Sequence, residues 1–147
     1  MPTRTARTAW DGGLKDGSGQ VELTSSGLAT FDVSFPKRAA DDADGTTSPE
    51  ELVGAAHSSC YSMSLAGLLE KEGTTPQTLD VTADVSVGYD DKGALGLTGI
   101  VLTVRAEVDG IDEAGFQKVA EAAKEGCPIS KALTGVDISL DASLDSA

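Results

Sequence analysis

The sequence predicts an α+β fold in which mostly antiparallel sheets pack on a long, central, buried helix. Three observations carry this expectation. Residues 52–69, "LVGAAHSSCYSMSLAGLL", contain no Asp, Glu, Lys or Arg, so a helix here is apolar or small on every side and has to be surrounded. Two later segments alternate apolar and polar residues with the period of a half-buried strand. The elements read in the order β-β-β-α-β-β-α-α-β, which suits a mostly antiparallel α+β arrangement.

The elements follow in order. "TARTAW", "GQVELTSSG" and "LATFDVSF" read as short strands joined by glycine-containing turns. "RAADDADGTTSP" is acidic and turn-rich, a loop leading into the long helix. Ser48 is placed to be that helix's N-cap, Pro49 takes the first helical position, Glu51 completes a capping box, and Gly73 is the stop. In "QTLDVTADVSVGY", Leu79, Val81, Ala83, Val85 and Val87 share one face. In "GIVLTVRAEV", Ile100, Leu102, Val104, Ala106 and Val108 point inward, and Arg105 and Glu107 outward. With "DDKGALG" at the bend, these two segments make a hairpin. "DEAGFQKVAEAAKEG" is an amphipathic helix ended by Gly126, "CPISKAL" opens a short further helix, and "VDISLDASL" alternates as a last strand. No repeat, heptad run or low-complexity linker divides the chain, so residues 1–147 are expected to form a single domain. A chain of this size buries roughly 70% of its unfolded surface and needs no disulfide or metal to fold.

Composition removes several classes of function. A formal charge of −13 opposes binding to nucleic acid or to an anionic membrane. The N-terminal "MPTRTARTAWDGG" has no apolar run and is no secretory signal. Four serines, a histidine and two glycines make residues 52–69 too polar to sit alone in lipid. Two cysteines without a targeting segment fit a reducing cytoplasm, where a working thiol pair is commoner than a structural disulfide.

Chemistry therefore centres on Cys60 and Cys127. The thiolate is the nucleophile, and an ordinary thiol with a pKa of about 8.5 is a few per cent ionised at neutral pH. By local rules Cys127 is the more activated, because it lies between Gly126 and Pro128 at the start of a helix. Cys60 sits mid-helix and draws no such help from its own backbone. His57, three residues before Cys60, faces the same way and can be read as a Cys–His pair or as a core histidine bonded to backbone or hydroxyl. A metal site from His57, Cys60 and Cys127 lacks any characteristic ligand spacing. No cofactor is implied.

The segment "SPEELVGAAHSSCYSMSLAGLL", followed by "GCPISKAL", resembles the osmotically inducible protein C family of bacterial hydroperoxide reductases. "TAWDGG" near the start, "QTLDVTADVSV" and the closing strand extend the likeness over nearly the whole chain, and "GAAHSSC" is closer to the osmotically induced branch than to the organic-hydroperoxide-resistance branch. The resemblance implies a thiol-dependent peroxidase that takes organic hydroperoxides and an external dithiol, of the lipoyl type. It implies that Cys60 is the peroxidatic cysteine and Cys127 the resolving one, the two closing a disulfide. It matches Glu50 to the acid that holds a catalytic arginine, with Arg38 the candidate arginine and the neighbouring Lys37 its competitor. Small residues around Cys60 suggest a snug apolar pocket for the alkyl group, with His57 and Met63 as candidate substrate contacts.

On one continuous helix Glu50 and Cys60 stand about 15 Å apart. They share a site only if the helix breaks or Glu50 comes from a second chain. The all-round apolar helix also asks for cover. An interwoven homodimer meets both requirements, and the family resemblance agrees with it. The rival expectations are a non-enzymatic redox-sensing or apolar-ligand-binding protein of the same fold, and a protein whose cysteines are only structural.

Overall fold

The structure is a computed structural model that describes residues 1–145. The chain divides into two compact units, which meet between Leu52 and Val53. The first holds three strands in an antiparallel sheet of order β1-β2-β3: β1 (Arg7–Asp11), β2 (Ser18–Glu22) and β3 (Thr30–Val33). The third strand ends earlier than its sequence suggests. Ser34 accepts a hydrogen bond from the Lys37 N–H, Pro36 fits the first turn, and a one-turn helix α1 (Phe35–Arg38) forms where a strand end was expected. That turn swings Arg38 out of the sheet's pleat.

The long helix α2 (Pro49–Lys71) is continuous. Its start follows the sequence signals with one change. Ser48 Oγ accepts from the Glu51 N–H at 3.1 Å, while the Glu51 carboxylate takes the Thr47 hydroxyl at 2.6 Å rather than closing the box on Ser48. Its end is a Schellman-type stop: Gly73 has a φ of 78°, and Thr74 N donates to Leu69 O.

The second unit pairs β4 (Thr78–Tyr89) antiparallel with β5 (Leu95–Glu107), and β5 parallel with β6 (Ile138–Leu144). The parallel pairing follows from the connection: α3 (Glu113–Gly126) and α4 (Pro128–Ala132) carry the chain back before β6 begins. The alternation read from the sequence holds. Ile100, Leu102, Val104 and Ala106 are buried on β5, and the alternate positions of β4 are half-buried. Leu102, Val104 and Ala106 form one core with Tyr61, Leu65 and Leu69 of α2, Phe116, Ala120 and Ala123 of α3, and Cys127, and Leu79, Val81 and Ala83 of β4 pack against it. The Tyr61 hydroxyl donates to Ala120 O at 2.9 Å, so the one polar atom on this ring is satisfied inside the core.

Residues 54, 57, 61, 65 and 69 make a single buried stripe along α2, whereas Ala55, Ala56, Ser59 and Met63 on other faces are exposed in the single chain. Gly54 belongs to the stripe because of close approach: a Cβ there would lie 3.0 Å from Ala83 O and 3.6 Å from Val85 Cγ2. Gly54→Val should therefore lower stability by about 1–3 kcal/mol, the usual cost of overpacking. The check is a urea-unfolding midpoint that falls with an unchanged slope.

Candidate functional site

The sequence candidates gather in two places, one in each unit. In the first, Arg38 and Glu50 form a bidentate ion pair. Arg38 Nη2 lies 2.6 Å from Glu50 Oε1, and Nε lies 3.0 and 3.1 Å from the two carboxylate oxygens. Glu50 is 7% exposed. Burial alone would push its carboxyl up, but the Arg38 guanidinium, the residue's own backbone N–H and the Ser48 hydroxyl more than offset this and hold it below the ordinary carboxylate range. The hydrogen bond to Glu50 in turn holds Arg38 still more firmly protonated. Lys37 pairs instead with Asp44 at 2.7 Å, on the exposed loop. Of the two adjacent cations, Arg38 is the one fixed by geometry.

Arg38 borders a cavity of about 480 Å³ whose apolar walls include Trp10, Leu14, Val21, Phe35 and Leu52. Sequence reasoning placed an apolar pocket beside the cysteine helix and overlooked these residues. The available signals were Trp10 in "TAWDGG" and the paired Phe35-Pro36 beside the cation.

The second place holds the thiols. Cys60 comes from the middle of α2, and Cys127 is both the last cap of α3 and the N-cap of α4. Cys127 is fully buried, Cys60 is half-buried against the same core, and both are free thiols. Each thiol influences the ionisation of the other. Burial pushes Cys127 up, but the N–H of Ser130, the Cys60 thiol, the Ser130 hydroxyl and the N–H of Ile129 outweigh it, and its pKa falls below that of an ordinary thiol. The sulfur makes no close cap hydrogen bond, so the effect of these N–H groups is that of nearby dipoles. Burial raises the Cys60 thiol; the Ile129 N–H opposes this, and the charge on Cys127 adds to it. Within one chain Cys127 is the more readily ionised of the two thiols.

His57 is fully buried, with Nε2 2.8 Å from Ser130 Oγ, which is the hydroxyl-bonded core histidine of the two sequence alternatives. Met63 is 74% exposed in the single chain. Among the described residues, no three His, Cys, Asp or Glu side chains converge as a metal site, and no helix is long and apolar enough to cross a membrane.

Two free cysteines from different helices pack into the same core of an α+β fold, an arrangement compatible with a thiol-redox class of protein. The chain belongs to the OsmC-like protein family, whose model matches residues 41–141. It is 40% identical over 137 residues to peroxiredoxin OsmC of Escherichia coli, covering 93% of each chain. Among solved structures it is similar to an organic hydroperoxide resistance protein from Elizabethkingia anophelis (TM-score 0.80, 27% identity, 99% of this chain and 98% of the other). It is also similar to OhrB of Bacillus subtilis (TM-score 0.75, 28% identity, 95% and 98%).

The ion pair generates a pH-dependent prediction. Because the folded Glu50 pKa is depressed, its contribution to stability is complete above the unfolded carboxylate pKa of about 4.3. That contribution is lost as pH falls through the lower folded value. Glu50→Gln should cost about 1–3 kcal/mol near neutral pH. The gap between wild-type and variant urea midpoints should close as the solution is acidified below the unfolded value.

Proposed function

We propose that this protein is a thiol-dependent hydroperoxide reductase acting on organic hydroperoxides, with Cys60 as the peroxidatic and Cys127 as the resolving cysteine. The observation that carries the proposal is the convergence of the two free thiols, one from α2 and one from the α3–α4 junction, on the same core. The Cys60 thiolate attacks the distal oxygen of ROOH, the O–O bond breaks, and the alkoxide leaves as ROH after taking a proton. Cys60 is left as a sulfenic acid, and attack by Cys127 on its sulfur expels hydroxide, which becomes water, and closes the disulfide. A dithiol reductant of the lipoyl type reopens that bond by exchange.

The first step needs a cation that the thiol pair does not itself contain. Ionisation alone is worth about 30-fold in rate, and the larger contribution comes from charge stabilisation at the leaving oxygen. An arginine held by a carboxylate supplies this without losing its own charge. The helix does not break between residues 50 and 60, so the Arg38–Glu50 pair of a second chain serves Cys60, in a homodimer that also covers the exposed face of α2. The Arg38-bordered cavity then receives the alkyl group.

Reduced protein treated with one equivalent of cumene hydroperoxide should yield an intramolecular Cys60–Cys127 disulfide by mass spectrometry. Cys60→Ser should abolish the first turnover, whereas Cys127→Ser should accumulate oxidised Cys60. Failure of Cys127→Ser in the first half-reaction would reverse the assignment. Stoichiometric oxidation without turnover under excess dithiol would favour a redox sensor.

Substrate preference provides a second check. Burying two or three methylenes at about 0.8 kcal/mol each is worth roughly tenfold or more. Cumene hydroperoxide should therefore oxidise Cys60 at least about tenfold faster than hydrogen peroxide, and Trp10→Ala should shrink that ratio. Equal second-order rate constants for the two peroxides would remove the apolar-cavity reading.

A further inference from the structure

The buried pair of His57 and Ser130 is left without a task by the reaction as proposed. Ser130 is 7% exposed and is the third residue of α4, whose N-cap is Cys127. Side chains at these two positions of a helix start face one another, as in a capping box. The Ser130 hydroxyl accordingly has the His57 ring 2.8 Å away on one side and, by its place in the first turn of α4, faces the side of Cys127 on the other.

The histidine's bare nitrogen decides how that hydroxyl is used. Burial keeps His57 neutral, so one ring nitrogen carries a hydrogen and the other does not. Nδ1 is buried and has no hydrogen-bond partner among the described residues. A buried N–H without a partner is rarer than an under-used acceptor, so the hydrogen belongs on Nε2. Nε2–H then donates to Ser130 Oγ across 2.8 Å. With its oxygen accepting from His57, Ser130 directs its own proton at the remaining neighbour, the sulfur.

We infer that His57 and Ser130 are positioning residues for disulfide formation: His57 orients the Ser130 hydroxyl so that it donates to the Cys127 sulfur, which attacks oxidised Cys60. The inference rests on the reading of Cys127 as the resolving cysteine. In the step it serves, the Cys127 thiolate attacks the Cys60 sulfur, the S–O bond breaks with its electron pair on oxygen, and the departing hydroxide takes a proton from solvent. Among the described residues, Cys60 and Tyr61 of α2 are titratable groups that interact with Cys127, Glu121 of α3 acts on Tyr61, and His57 reaches the site through Ser130. No cation is among the influences on this thiol, so its ionisation depends on such hydrogen-bond donors.

The test titrates Cys127 by ultraviolet thiolate absorbance in a Cys60→Ser background, where it is the only thiol. Ser130→Ala and His57→Leu should each raise the midpoint by about one unit, roughly a tenfold loss of thiolate, as expected for one hydrogen bond to an ionised group. Ser130→Thr keeps the hydroxyl, and His57→Gln places an amide donor near the Nε2 position; both should retain the low midpoint. In the two-cysteine protein, Ser130→Ala should slow disulfide closure about tenfold relative to sulfenic-acid formation. An unmoved midpoint in Ser130→Ala, or equal midpoints for His57→Gln and His57→Leu, would overturn the inference. If Ser130→Ala fails to fold, the His57 comparison alone decides. Wild-type protein that forms no disulfide with peroxide would defeat the proposed function, while the titration would still report on the relay.

Discussion

The unbroken run of α2 from Pro49 to Lys71 is the constraint on which the rest depends. Its buried stripe through Gly54, His57, Tyr61, Leu65 and Leu69 fixes the rotation of the helix against the second unit's core. With rotation fixed, Cys60 falls at the margin of the stripe, partly buried against the core. The same rigidity separates Glu50 from Cys60 by about 15 Å of helix rise. A kink would relax that separation, and nothing in the sequence between them supplies a proline to make one.

Charge near the thiols is governed by burial and donors rather than by cations. Burial raises both thiols, and the N–H groups at the start of α4 together with Ser130 reverse the effect only at Cys127. The two sulfurs are thus unequal before any oxidant arrives. In the proposed homodimer an arginine from the second chain would favour the Cys60 thiolate and so oppose this inequality. Holding Arg38 with a buried carboxylate has a cost, since Glu50 must be desolvated. The bidentate geometry offsets it and leaves the guanidinium in one orientation.

Glycine and alanine matter here through distance. Gly54 lets the β4 backbone come within contact of the helix, and the exposed Ala55 and Ala56 leave a flat strip on another face. Small side chains on both sides let α2 pack closely inward and present a surface on which close outward packing is possible.

Much was legible in the sequence by itself. The caps at Ser48 and Gly73, the period-two runs of β4 and β5, and the i, i+4, i+7 face of α3 are local signals, decided by backbone chemistry and side-chain period within a few residues. Motif resemblance identified the family and singled out Cys60, Cys127, Arg38 and Glu50 as candidates. Other features were not legible because they depend on residues far apart in the chain. The end of β3 at Ser34, the parallel pairing of β6, the cavity walled by Trp10 and Phe35, and the bond between His57 and Ser130 each require tertiary structure. No local period or propensity encodes which distant donor meets which acceptor; only packing the core brings residue 57 to residue 130 and leaves Nδ1 without a partner.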